Sequence, residues 1–261
     1  MNKKIDNRQL VPMVLGVLLI VIAIIGMTDI FMDYKKAEDK HEQLANEFVN
    51  VNASVDATTG KILDTKVPWY ELITVDMESL SEQYPNTVGW IFFENEKISY
   101  PIMKANNNDA YLKMAYDGTY SSGGSIFMDK ADASDFSDAH TILYGHNMKD
   151  LSMFGRLKYY KTKTDYYESH RYFQIHTKTE VLRYEIFAYQ EVSVSSPLYQ
   201  EEQTSAANIG SLLMSTSQIV YDKQITDEDH IITLSTCTDT DENRFVVNAV
   251  LVERYSLIEK E

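Results

Sequence analysis

The chain has 261 residues and a single cysteine, and its 39 acidic side chains outnumber 24 basic ones for a formal net charge of −15. One cysteine excludes an internal disulfide and a cysteine-rich zinc cluster, and the acidic balance argues against a nucleic-acid partner, since phosphates are bound mainly by Lys and Arg. With 44% hydrophobic residues and five prolines, the composition is typical of a folded globular protein.

The first predicted element is a membrane-spanning helix. The 19 residues from Leu10 to Thr28 carry no charge, and at a rise of ~1.5 Å per residue they reach roughly 28 Å, enough for a hydrocarbon core of about 30 Å. Basic residues precede the run and acidic ones follow it, which favours a cytoplasmic N-terminus. A cleavable signal peptide is the alternative, but no small-residue cleavage site follows.

We therefore predict four parts in the chain. Residues 1–9 are cytoplasmic, 10–28 cross the membrane, 29–60 form a juxtamembrane helical segment and linker, and 61–261 form an extracellular domain. Residues 1–33 contain three basic and three acidic side chains, so the rest of the chain carries the whole net charge of −15. An anionic membrane surface repels such a domain, and we expect only the apolar helix to hold it at the cell membrane.

The segment after the membrane shows helical spacing of apolar residues over 35–52, which predicts either a spacer or a helix packed on the domain. A polar stretch at 54–60 indicates a joint. Asp76 then predicts the N-cap of a short helix over 77–84.

Short apolar runs bounded by turn residues predict eight strands in the remainder. They cover 88–93, 98–103, 125–128, 141–144, 172–176, 181–189, 230–235 and 245–252. Because no regular alternation of strands and helices accompanies them, they favour a mainly β fold, a closed or nearly closed β-barrel. Two inserted helices are expected, one over 109–115 and one over about 201–221, between the sixth and seventh strands.

The lone Cys237 lies where a strand ends in the polar loop 238–243. A reactive thiol needs partial exposure and a neighbour that stabilises thiolate, whereas a packing thiol needs apolar burial. The position favours the first, and the second stays open.

A cysteine nucleophile needs an imidazole nearby. Among six histidines, His146 follows a predicted strand through Gly145, so it also lies at a strand end. Two such ends can meet at one barrel rim. Arg244 opens the next strand and returns beside Cys237 if the two strands pair as a hairpin; its guanidinium suits oxyanion binding. Nothing in the sequence directs an acidic residue toward His146.

These residues lie in blocks that resemble, in order and spacing, the signature blocks of sortases, especially class B sortases. The blocks are 144–148 (YGHNM), 233–237 (TLSTC) and 244–247 (RFVV), with further agreement at 88–91, 100–102, 108–112, 124–129 and 153–155. The similarity extends over roughly residues 66–254. Lys104 and Thr238 depart from the residues that relatives often carry there.

The resemblance implies an eight-stranded barrel with N-terminal helices and a helix-bearing insertion between strands six and seven, with the catalytic domain at 61–261. It implies a membrane-anchored cysteine transpeptidase of Gram-positive bacteria that cleaves an Asn-Pro-x-Thr-x-like sorting signal of secreted proteins after Thr and transfers the acyl group to a peptidoglycan amine. No cofactor or metal is expected.

The resemblance also implies the roles of individual residues. Cys237 is the nucleophile, His146 the acid and base, and Arg244 the oxyanion and backbone ligand. Substrate-binding residues are carried over to Asn108, Leu112, Ser235 and Thr236.

Two other functions stay open at this point. Water can resolve the same acyl-enzyme, which makes the chain a membrane-anchored cysteine peptidase. Alternatively, the chain is a non-catalytic surface binding domain with a buried cysteine.

Overall fold

The computed structural model describes residues 7–199, 205–219, 221–238, 240 and 242–258. Its α-helices are α1 (Asn7–Phe48), α2 (Met77–Gln83), α3 (Tyr159–Thr162), α4 (Tyr166–Ser169) and α5 (Ala206–Thr216). Its strands are β1 (Val49–Val51), β2 (Ile73–Val75), β3 (Thr87–Phe93), β4 (Ser99–Met103), β5 (Ile126–Met128), β6 (His140–Tyr144), β7 (Tyr172–His176), β8 (Glu180–Ser193), β9 (Ile231–Cys237) and β10 (Asn243–Ser256).

Strands β3 to β10 form a closed barrel in the order β10-β8-β7-β3-β4-β5-β6-β9, with β9 paired to β10. The pairs β4–β5 and β6–β9 are parallel, and the other neighbours are antiparallel. All eight predicted strands are therefore confirmed, and β7 has the predicted bounds. Strands β8 and β10 are longer than the apolar runs that predicted them. They pair with each other along their whole length, with Ser193 of β8 opposite Asn243 and Ser256 of β10 opposite Glu180.

The apolar N-terminal run and the juxtamembrane segment form one uninterrupted helix. The part of this helix that follows the apolar run is not a spacer, because Leu44 and Phe48 pack into a buried cluster with Trp90 and Phe92 of the barrel. The helix ends at Phe48, earlier than predicted, since Val49–Val51 pairs with β2 instead. The strands β1 and β2 were not predicted; each is three residues long, too short to show a periodic pattern.

The two predicted insertions differ from expectation, whereas the Asp76-capped helix is confirmed, with the Asp76 side chain accepting from Ser79 N. Over 109–115 there is only the 3-10 turn Ala110–Leu112, because the chain must leave helical geometry where Tyr111 O accepts from Ser125 N. In the second insertion α5 covers only Ala206–Thr216, and residues 201–204 and 220 of the predicted helix lie outside the described part of the chain.

We predict that Leu44→Ala lowers the free energy of unfolding by about 2–5 kcal/mol, because it leaves a cavity where α1 packs on the barrel. Leu44 is 2% exposed. Denaturant unfolding of the detergent-solubilised chain measures the change. Leu63→Ala is the matched control, since Leu63 is 63% exposed; equal effects of the two substitutions would contradict the packing of α1.

Candidate active site

Parallel pairing of β6 with β9 brings His146 beside Cys237. The register aligns Leu143 with Leu234 and Tyr144 with Ser235. Each strand then continues by two residues, to His146 on one side and to Cys237 on the other. The predicted meeting of the two strand ends is confirmed, because a hydrogen bond with Cys237 acts on the imidazole of His146.

Antiparallel pairing of β9 with β10 places Arg244 directly opposite Cys237. The expected hairpin is confirmed, and Arg244 is half-buried, with Nη1 donating to Asn243 O at 2.8 Å. The Cys237 residue itself is exposed. Exposure at the mouth of the barrel contradicts the alternative of a buried packing cysteine, and it leaves the thiol accessible to a substrate carbonyl.

The orientation of the His146 ring follows from one backbone contact. His146 Nε2 lies 2.7 Å from Leu112 O. A carbonyl oxygen only accepts hydrogen bonds, so Nε2 carries the proton and Nδ1 is the nitrogen left for Cys237. The hydrogen bond with Cys237 makes the largest contribution to raising the pKa of His146, and partial burial acts in the opposite direction. The orienting group is thus a peptide carbonyl.

The loop that carries His146 is fixed by close contacts. Gly145 N donates to Ser235 O at 3.1 Å, and a Cβ added at Gly145 would lie 2.6 Å from the Phe154 ring, so only glycine fits. His146 O accepts from Phe154 N at 3.1 Å. Asn147 Nδ2 donates to Cys237 O at 3.0 Å, which ties the loop after β6 to the end of β9. The resemblance carried by the 144–148 block implies no role for Asn147.

Tyr199 also borders the site, and no motif or spacing in the sequence indicates this. It ends the 3-10 turn Pro197–Tyr199 after β8, where buried Leu198 anchors the turn. The Tyr199 hydroxyl lies 2.8 Å from Ser235 Oγ. Burial raises the pKa of Tyr199, while the hydrogen bond to Ser235 and the charge of Arg244 act in the opposite direction. The insertion between the sixth and seventh barrel strands therefore forms one wall of the site.

The residues predicted to bind substrate occupy different places. Leu112 is 39% exposed next to His146, and Ser235 lies beneath Tyr199. Thr236 is buried, and because side chains alternate along a strand it points to the face opposite Cys237. The structure therefore does not bring Thr236 into the site.

Asn108 is engaged in bracing the rim. Its Nδ2 donates to Asp129 Oδ2 at 2.8 Å, and its Oδ1 accepts from Lys130 N at 2.8 Å. The same Asp129 oxygen accepts from the Tyr144 hydroxyl at 2.8 Å. Lys104, which departs from the residue common in relatives, donates to Asp129 O at 2.8 Å and so holds the same turn.

Taken together, these groups suit acyl transfer. An exposed thiol has an imidazole in hydrogen-bond contact for proton transfer and a guanidinium on the neighbouring strand for a developing oxyanion. All three arise from adjoining strand ends.

Comparisons with known proteins agree with this chemistry. The sortase domain family matches residues 93–252. Sortase B of Listeria monocytogenes is 30% identical over 97% of this chain and 99% of its own length, and sortase B of Staphylococcus aureus is 28% identical over 87% and 89%. The crystal structure of sortase B from B. anthracis in complex with AAEK1 superposes with a TM-score of 0.69 at 29% identity, covering 85% of this chain and 99% of that one.

The family match at residues 93–252 includes the three strand ends that carry the thiol, imidazole and guanidinium. The chain belongs to the sortase family of cysteine transpeptidases, and within that family to the class B sortases.

Proposed function

We propose that this protein is anchored in the cell membrane of a Gram-positive bacterium with its N-terminus in the cytoplasm and its barrel outside. There it cleaves secreted proteins at an Asn-Pro-x-Thr-x-like sorting signal after Thr and joins them to a peptidoglycan amine. The observation that carries the proposal is the strand register that sets His146 and Arg244 on either side of exposed Cys237.

In the first half-reaction the Cys237 thiolate attacks the Thr carbonyl carbon of the sorting signal. The carbonyl oxygen becomes an oxyanion, and Arg244 stabilises it with its guanidinium donors. Protonated His146 gives its Nδ1 proton to the departing amine, the C–N bond breaks, and a thioester remains on Cys237. A raised pKa of His146 favours the imidazolium form that this step needs.

In the second half-reaction an amine of the peptidoglycan precursor attacks the thioester carbonyl. Neutral His146 takes the proton from the attacking amine, a new amide bond forms, and the thiolate of Cys237 leaves. Nε2 keeps its contact with Leu112 O in both steps, so the same Nδ1 atom gives and receives the proton. The ring therefore needs no rotation between the two half-reactions.

The bound sorting signal is expected along the rim between Leu112 and Tyr199. Leu112 offers an exposed apolar side chain beside His146, and the Tyr199–Ser235 pair lies on the opposite side, next to Arg244. Asn108 contributes through Asp129 and Tyr144, which it holds in place.

Anchoring is supported by α1. The helix from Pro12 to Phe48 is long and apolar enough to cross a membrane, and in its apolar segment the described side chains are exposed. Exposed Val, Leu and Ile side chains over this length are favourable in lipid and unfavourable in water.

Hydrolysis of the thioester by water is the competing outcome. Incubating the full-length protein with Asn-Pro-x-Thr-x and other Pro-x-Thr pentapeptides, with and without stem-peptide amines, separates the two. Mass spectrometry should show an acyl adduct on Cys237 in the absence of the amine. The amide product should form only when the amine is present. Hydrolysed peptide at the same rate with and without amine would overturn the transpeptidase proposal.

We predict that Cys237→Ala abolishes the adduct, and that His146→Ala lowers the rate of adduct formation by about 10²–10⁴-fold because no acid protonates the leaving amine. The control is His230→Ala. His230 directly precedes β9, whose far end carries Cys237, roughly 23 Å away at ~3.3 Å per residue. A His146→Ala rate equal to that of the control would remove His146 from the mechanism.

Arg244→Lys should slow adduct formation by roughly 10²-fold, because an ammonium does not reproduce the paired donors of a guanidinium. Arg254→Lys is the matched control at the other end of β10, where Arg254 pairs with Glu180 on the surface. The rate with saturating sorting peptide decides the outcome: a near-normal value for Arg244→Lys rejects the oxyanion role.

Removing the thiol should lower the pKa of His146, since the hydrogen bond with Cys237 makes the largest contribution to raising it. Imidazole NMR titration of the unmodified chain and of Cys237→Ala measures the shift. His140 is the internal reference: burial lowers its pKa to about 4, and it contacts Thr233, away from Cys237. A pKa of His146 that stays the same or rises in Cys237→Ala would show that the two groups do not interact.

A further inference from the structure

The turn formed by residues 113–121 packs against the first exported turns of α1. Lys40 Nζ donates to Asp117 Oδ2 and to Thr119 Oγ1, both at 2.6 Å, and Tyr116 donates from its hydroxyl to Lys40 O at 3.1 Å. A small crevice between the two elements is lined from the helix by Asp33, Lys36, Ala37, Lys40 and His41, and from the turn by Ala115, Tyr120 and Ser121. The position of this turn along α1 is thus fixed.

The helix also sets the height of this turn above the membrane. The charge-free run of α1 ends at Thr28, where Asp29 follows. With residues 10–28 in the hydrocarbon, the polar headgroup layer of roughly 5–8 Å covers the next four or five residues of α1 at ~1.5 Å each. That stretch ends at Asp33, which lines the crevice together with Tyr120, and Tyr120 is 69% exposed.

We propose that residues 113–121 form a membrane-contacting turn, with the Tyr120 side chain in the lipid headgroup region; the inference rests on the membrane anchoring proposed above. Tyrosine is enriched at this level of membrane proteins because its ring is apolar and its hydroxyl polar. General electrostatic attraction does not drive the contact, because residues 34–261 carry a net charge of −15. The covalent connection of the domain to α1 and the aromatic ring of Tyr120 are sufficient to hold the turn at the membrane.

The turn is directly connected to the catalytic histidine. Met114 pairs with Tyr120 in an antiparallel bridge, which sets their Cα atoms about 5 Å apart. Leu112 precedes Met114 by two residues, at most about 7.6 Å along the chain. His146 Nε2 is 2.7 Å from Leu112 O.

It follows that the His146 ring lies within roughly 20 Å of Tyr120 by these distances. The catalytic centre is therefore held within roughly that distance of the lipid headgroups. The turn that contacts lipid begins directly after Leu112, whose carbonyl orients the His146 ring.

The test measures depth in a bilayer and needs no catalysis. The full-length chain carries Cys237→Ala, which removes the native thiol, and one introduced cysteine labelled with an environment-sensitive fluorophore. Tyr120→Cys probes the turn. Val51→Cys is the matched control: Val51 is exposed like Tyr120 and lies three residues after the end of α1 at Phe48, which is about 22 Å along the helix from Asp33 at ~1.5 Å per residue. Leu19→Cys, in the apolar run, reports insertion.

Each variant is reconstituted into phosphatidylcholine vesicles that contain a lipid with a nitroxide on its headgroup or on its acyl chain. The headgroup nitroxide should quench the label at 120 at least about threefold more strongly than the label at 51, and the acyl-chain nitroxide should quench the label at 19. Lys113→Cys repeats the measurement on the same turn, where Ser121 N donates to Lys113 O. Circular dichroism melting confirms that each variant is folded.

Equal quenching at 120 and 51, with strong quenching at 19, would overturn the membrane-contacting turn and leave the anchor intact. Absence of quenching at 19 would overturn the anchor and this inference together. A transpeptidase assay that fails with the unmodified chain while 120 is quenched would reject the proposed reaction and not the contact with lipid.

Discussion

The pairing register of β9 with its two neighbours is the constraint on which the active site depends. Parallel pairing with β6 sets Cys237 level with His146, and antiparallel pairing with β10 sets it level with Arg244. Side chains alternate along a strand, so a slip of one residue would turn Cys237 into the barrel and bring Thr236 out. The buried face of β9 resists such a slip, because Ile232 and Leu234 belong to the main hydrophobic core. Packing energy in the core thereby fixes the geometry of the reacting groups.

Contacts with packed backbone also explain why His146 needs no carboxylate partner among the described residues. Its ring is aligned by the Leu112 carbonyl, and its backbone is held by Phe154 and by Asn147, which reaches Cys237 O. Peptide groups in packed backbone are fixed dipoles that cost no side-chain entropy to position. The loop containing Leu112 is in turn braced by α1 through Lys40, so α1 and the His146 imidazole are connected by a short series of direct contacts.

Much of the fold can be predicted from the sequence because each strand of this barrel coincides with a short apolar run. The errors lie where local pattern is weak or overridden. The helix expected over 109–115 is a single 3-10 turn, since Tyr111 bonds across to Ser125, and the two short strands β1 and β2 arise from pairing between distant segments. The helix α1 runs without a break because nothing between the apolar run and Phe48 stops it, whereas the sequence suggested two separate elements.

The sequence by itself determined which chemistry is available: one cysteine and one arginine flanking a polar loop, a histidine after a strand, and an apolar run long enough to cross a membrane. These are properties of residue type and short-range spacing. Only the tertiary structure decided that Nδ1 of His146 faces the thiol, that Tyr199 covers Ser235, that Thr236 points away, and that α1 rests on the turn at 113–121. Each of these depends on contacts between segments far apart in the chain, which register and packing set and which no local pattern encodes.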